Sequence, residues 1–224
     1  MKELDLGNSD FKSLMENNNY FVDKSLFIKE LIKSQKQVVL LPRPRRFGKT
    51  LNLSMLSSYF DILQTENEKL FADLKIWQTE NEIKEKRGKY PVIFISFKDA
   101  KDENWTDCLE LIQGIIASLY EKHRYLLESS ILSTDEKDSF LKITSQTASK
   151  SEYQRSIFKL SSYLHRYHKQ KVVILIDEYD APIQVGYKYF YQEVVSFMKN
   201  LLSDNWHHRG IRPTKNRKDH RKIH

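Results

Sequence analysis

The chain has 224 residues, 40% of them hydrophobic, enough to bury one sizeable core. Its single cysteine, Cys108, excludes an internal disulfide and reads as helix core filler, and no apolar stretch approaches a membrane span or a leader's apolar centre, so a soluble cytoplasmic protein is expected. Residues 205–224 hold seven Lys/Arg and one acid, which accounts for six of the seven net positive charges and leaves the body without a basic face for nucleic acid.

In chain order the pattern is α/β. A polar opening, Asn8 to Asn19, leads to a helix over Lys24–Ser34 with Asp23 as its N-cap. The short apolar run Gln37–Leu41 predicts a first strand. A helix follows from Lys49 to about Leu63, with Leu51, Leu53, Met55, Leu56, Tyr59 and Phe60 forming a broad apolar face. The charged region Gln64–Lys89 contains Gln-Thr-Glu-Asn-Glu twice, at 64–68 and 78–82, without the extension a true repeat needs. Between the copies, Phe71, Leu74, Ile76 and Trp77 predict a small packed helix.

Val92–Phe97 predicts a second strand, and Trp105–Leu127 a long helix with Leu109, Ile112, Ile115, Ile116, Leu119 and Tyr120 at helical spacing. Ser129–Ser151 is polar and turn-rich, expected to be a surface excursion. Glu152–Gln170 predicts a helix carrying Ile157, Leu160, Tyr163, Leu164 and Tyr167. A third strand, Lys171–Ile176, is a continuous apolar run of the kind buried on both faces. Tyr187–Ser203 is helical again, with Tyr187, Tyr189, Phe190, Tyr191 and Phe197 expected to pack rather than to stack on bases.

Two passages carry chemistry. Pro42-Arg-Pro-Arg-Arg-Phe-Gly-Lys-Thr50 lies between the first predicted strand and a helix, and strand–loop–helix ending in Gly48-Lys49-Thr50 suits a phosphate chain. A lysine there reaches the terminal phosphates, and the hydroxyl of Thr50 can ligate Mg²⁺. The pattern asks for glycine where Arg43 stands, and Pro44 removes a donor, so this tripeptide alone is a weak signal that chance also produces at helix starts. The other passage is Asp177-Glu178, two carboxylates closing a buried strand, which are costly unless they meet a cation or a polarised water. A strand ended by polar turn residues is the bland alternative. Both passages together, in this order, favour a nucleoside triphosphate site.

At these residues the chain resembles the AAA-ATPase-like proteins of bacteria and archaea. The resemblance rests on Tyr20-Phe-Val-Asp-Lys-Ser25, Arg43-Pro-Arg-Arg-Phe-Gly-Lys-Thr50, Tyr90-Pro-Val-Ile-Phe-Ile-Ser-Phe97 and Ile174-Leu-Ile-Asp-Glu-Tyr-Asp180, and it runs to about Asp204. It implies a P-loop NTPase fold of the additional-strand class, with ATP and Mg²⁺ as ligands. Arg45, Arg46, Phe47, Gly48, Lys49 and Thr50 would line the phosphates, Thr50 and Asp177 would hold the metal, and Glu178 with Lys49 would be catalytic. Arg45 and Arg46 have an ordinary alternative as solvated loop residues. Asp180 either supports Asp177 or caps the turn before Pro182, and Asp23 and Lys24 either line the adenine side or start the first helix.

The resemblance also implies a homo-oligomer, a C-terminal nuclease-like domain of the PD-(D/E)XK type lying outside this chain, and a fourth strand, bearing a sensor residue, between the loop strand and the acid-bearing strand. No run of this sequence supplies that strand, so the expected domain is a partial one over 1–204. Residues 205–224 are either a basic arm for nucleic acid or acidic lipid, or out-of-frame translation, and their abrupt break from the family pattern favours the latter. Their histidines, His207, His208, His220 and His224, lack a rigid frame for a metal. Three functions are therefore weighed: a Mg²⁺-dependent ATPase module, a hydrolytically inactive nucleotide-binding scaffold or truncated product, and a nucleic-acid-binding module using the tail.

Overall fold

The apolar runs at 92–97 and 171–176 find each other. In a computed structural model, which describes residues 3–5, 7–41 and 47–202, β1 (Val92–Ser96) and β2 (Val173–Asp177) pair in parallel, Val92 opposite Val173 and Ser96 opposite Asp177. Alternate side chains go to opposite faces. Ile93, Ile95, Ile174 and Ile176 face one core; Val92, Phe94, Val173 and Leu175 face another. Burial on both faces explains why the two runs are apolar without interruption.

The first core is walled by α5 (Trp105–Glu121), α6 (Thr134–Thr144), α7 (Lys150–Gln154), α8 (Ser156–His168) and α10 (Tyr191–Leu201). The second is walled by α1 (Phe11–Glu16), α2 (Leu26–Ser34), α3 (Lys49–Phe60) and α4 (Asn81–Lys84). α3 is the central helix of that side. Its Leu53, Met55, Leu56, Tyr59 and Phe60 are buried, and so are its polar residues Asn52, Ser54 and Ser58. Ser54 Oγ repays its burial by accepting the N–H of Phe11, which fastens α1 to α3. Cys108 is fully buried on α5, as its sequence context suggests.

Several expectations are corrected. Residues 37–41 do not form a strand: no described neighbour pairs with them, and Val38 and Leu40 are 83% and 68% exposed. A strand is stabilised by its ladder and by cover on its faces, and this run has neither among the described residues. Ser25, not Asp23, is the N-cap of α2; the Asp23 carboxylate instead accepts the N–H groups of Ser25 and Lys75, both at 2.8 Å. The small helix expected around 71–77 is a set of 3-10 turns, Thr65–Leu70 and Lys75–Gln78, although Phe71, Leu74 and Ile76 are buried as expected.

The polar stretch 129–151 is not a loop excursion, since it folds as α6. Its Leu132, Phe140 and Ile143 are buried, spaced too widely to stand out among charged residues. Serine at the N-cap with glutamate three residues on closes a capping box at Ser133/Glu136 and again at Ser149/Glu152. Replacing Ser133 by alanine is expected to cost about 1 kcal/mol, seen as a lower urea midpoint with an unchanged slope.

The last predicted helix, Tyr187–Ser203, is observed as α10, which begins at Tyr191, and a separate short helix, α9 (Ala181–Gly186), precedes it. Phe190 and Phe197 pack against Trp105, but Tyr187, Tyr189 and Tyr191 are exposed rather than packed. Gly186 permits this turn to close tightly, because a Cβ there would meet the Phe190 ring at 2.7 Å. The histidines at 207, 208, 220 and 224 and the rest of the basic tail lie outside the described residues.

Candidate functional site

Gly48 turns the chain into α3 at φ +71°, a left-handed conformation that glycine enters without the clash a Cβ would bring. No side chain caps α3. Its first-turn N–H groups therefore lack intrahelical acceptors and stand at the positive end of the helix dipole, where an anion is favoured.

Facing this helix end is the last residue of β2. Asp177 is fully buried, and Thr50 Oγ1 donates to its Oδ2 at 2.7 Å. The other oxygen, Oδ1, is buried without a hydrogen-bond partner among the described residues. Lys49 Nζ stands 3.7 Å from Oδ1 and 3.8 Å from Glu178 Oε1, close enough for ionic attraction but beyond a good hydrogen bond. A buried carboxylate oxygen without a hydrogen bond is costly unless a positive partner compensates it. Parallel pairing with β1 fixes where β2 ends, and this presents Asp177 to α3.

Glu178 follows with φ +51°, which is unusual for a residue with a side chain. Elsewhere such angles occur at helix ends: Gln35 and Lys169 are the C-caps of α2 and α8. Glu178 instead lies between a strand and a helix. Its carbonyl accepts the N–H of Ala181, and its carboxylate remains partly accessible.

Thus Gly48, Lys49, Thr50, Asp177 and Glu178 converge, though the two passages are far apart in the chain. Phe47 is exposed at the rim, and Arg45 and Arg46 lie outside the described residues. Asp180 stands at the N-cap position of α9 without a side-chain capping bond, and its carboxylate accepts from Gln184 Nε2. Lys24, for which the sequence left lining the adenine side or starting the first helix open, stands beside Gly48. Its Nζ is 4.0 Å from where a Cβ on Gly48 would stand. The useful signal was Asp23-Lys24-Ser25 itself, whose flanking polar side chains anchor the backbone on either side of the lysine.

Among the described residues no three His, Cys, Asp or Glu side chains form a metal cage. The donor set at Thr50 and Asp177 suits Mg²⁺, which commonly takes one or two protein oxygens and completes its shell with phosphate and water. The unpartnered Oδ1 of Asp177 agrees with that fit. No helix among the described residues is long and apolar enough to cross a membrane.

Comparison with known proteins gives two matches. The sequence profile of a family described as predicted AAA-ATPase matches residues 5–208. An uncharacterized protein in the vnfD 5′ region of Azotobacter chroococcum mcd 1 is 29% identical over 191 residues, covering 81% of this chain. The matched part is 30% of that relative's length. No solved structure matches.

Proposed function

The chain belongs to the predicted AAA-ATPase family, and from that premise we propose that it binds ATP in a P-loop and hydrolyses it with Mg²⁺. The observation that carries this reading is the contact of Thr50 with Asp177 beside an unpartnered buried carboxylate oxygen, at the uncapped start of α3. The first-turn N–H groups of α3 receive phosphate oxygens, with Gly48 letting the backbone approach. Lys49 leaves its two carboxylate neighbours to neutralise the terminal phosphate. Thr50 and Asp177 would hold the metal, which would neutralise charge on the phosphates. Glu178 accepts a proton from the attacking water as oxygen bonds to phosphorus and the bond to ADP breaks.

Titration with a fluorescent ATP analogue in Mg²⁺ tests the reading directly. Lys49→Ala is expected to weaken binding at least about tenfold, the scale of one charge-assisted contact. Asp177→Ala should remove the Mg²⁺ dependence of that binding. A folded wild-type chain that binds no nucleotide would refute the reading.

A further inference from the structure

Lys24 is placed by a brace that has no evident purpose in capping a helix alone. Asp23 accepts two backbone N–H groups, from Ser25 and from Lys75 across the turn Lys75–Gln78. Ser25 is fully buried, and its Oγ accepts the N–H of Ile76 at 3.0 Å. The residues on both sides of Lys24 are therefore tied to the same turn, and Ile28 on the next turn of α2 is buried in the same core as Ile76. This fixes the backbone from which the Lys24 side chain extends.

That side chain reaches toward the phosphate loop. Its ammonium is 4.0 Å from the position of a Cβ at Gly48, immediately before the first residue of α3. No carboxylate among the described residues is within ion-pair distance of it. Lys49, by contrast, is held between Asp177 and Glu178. One lysine at the helix start is therefore engaged by acids, and the other is exposed and uncompensated among the described residues.

We propose that Lys24 is a second cationic contact to the nucleotide's phosphate chain, approaching beside Gly48. The assignment rests on the P-loop reading above. A flexible ammonium acts on phosphate as a point charge, so its contribution depends on charge and reach more than on a fixed fork of hydrogen bonds. Because Lys24 is exposed, its contribution is expected to be smaller than that of Lys49 and to decline with salt.

Affinities for ATP, ADP and adenosine in wild type, Lys24→Ala, Lys24→Arg and Lys49→Ala provide the test. Lys24→Ala is expected to weaken ATP binding about three- to tenfold at low salt, leave adenosine unchanged, and reduce the salt dependence of ATP binding. Lys24→Arg should retain most of the affinity. Equal loss for ATP and adenosine would overturn the phosphate assignment and put Lys24 on the base or ribose side. Unchanged ATP binding in Lys24→Ala, with binding lost in Lys49→Ala, would refute this contact and leave the P-loop reading intact. Absence of nucleotide binding in wild type would refute both.

Discussion

Replacing Glu178 by glutamine is expected to slow Mg²⁺-dependent ATP hydrolysis by about a hundred- to ten-thousandfold, the range of a lost general base. ATP affinity should change little. Glutamine keeps the length and shape of the side chain, so the backbone at φ +51° is strained to the same degree as before. What disappears is the acceptor for the water's proton, and with it the negative charge 3.8 Å from Lys49. Losing that partner frees Lys49 for phosphate, which could only favour binding of the nucleotide. The phosphate release rate and the ATP binding isotherm, measured on the same preparations, separate the two effects. Unchanged hydrolysis would move the base to another residue, and lost binding would give Glu178 a structural part in the site.

The largest expected stability effect lies at His123, beside the Tyr125 ring. His123 is 4% exposed, and its Nδ1 has no hydrogen-bond partner among the described residues. Burial lowers its pKa from 6.5 to about 4, assisted by the positive Lys122 and by His168. The unfolded chain therefore binds a proton that the folded chain refuses between these two values. The stability associated with neutral His123 is complete above pH 6.5 and is lost as pH falls toward 4, by about 3 kcal/mol in all and about 2 kcal/mol by pH 5.

Its surroundings modify this in known directions. His168, whose ring accepts or donates at 2.9 Å to the Tyr125 hydroxyl, is also shifted down by burial and adds to the acid loss. Asp61 is shifted up by burial, so acid favours its folded form and offsets part of the loss just above pH 3.8. Urea unfolding at pH 7.5 and pH 5, for wild type and His123→Gln, gives the comparison. The pH difference should shrink markedly in the variant. An equal difference in both would place the acid sensitivity elsewhere.

Much of this arrangement was legible as periodicity. The strands at 92–96 and 173–177 stood out because each is buried on both faces, and α5 because its isoleucines recur at helical spacing. Gly48-Lys49-Thr50 was a weak signal alone, and only together with Asp177-Glu178, in that order and each after an apolar run, did these residues stand out. The run at 37–41 misled because its composition suits a strand while pairing depends on a neighbour, which composition does not report. α6 was hidden because a helix with two buried residues, Phe140 and Ile143, among acids and lysines resembles a polar loop until its capping box is noticed. Lys24 was named with its role left open, and His123 was hidden. Their significance depends on which distant residues pack beside them, Gly48 in one case and the α8 end in the other.

The left-handed backbone at Glu178 has an energetic corollary. A side chain in this conformation costs about 1 kcal/mol relative to glycine. Glu178→Gly should therefore raise the melting temperature by a few degrees, while removing the carboxylate altogether. Selection of this chain for thermal resistance alone would push position 178 toward glycine and yield a sturdier, catalytically silent protein. The melting curve of that one variant would show whether activity and resistance to heat are opposed at this position.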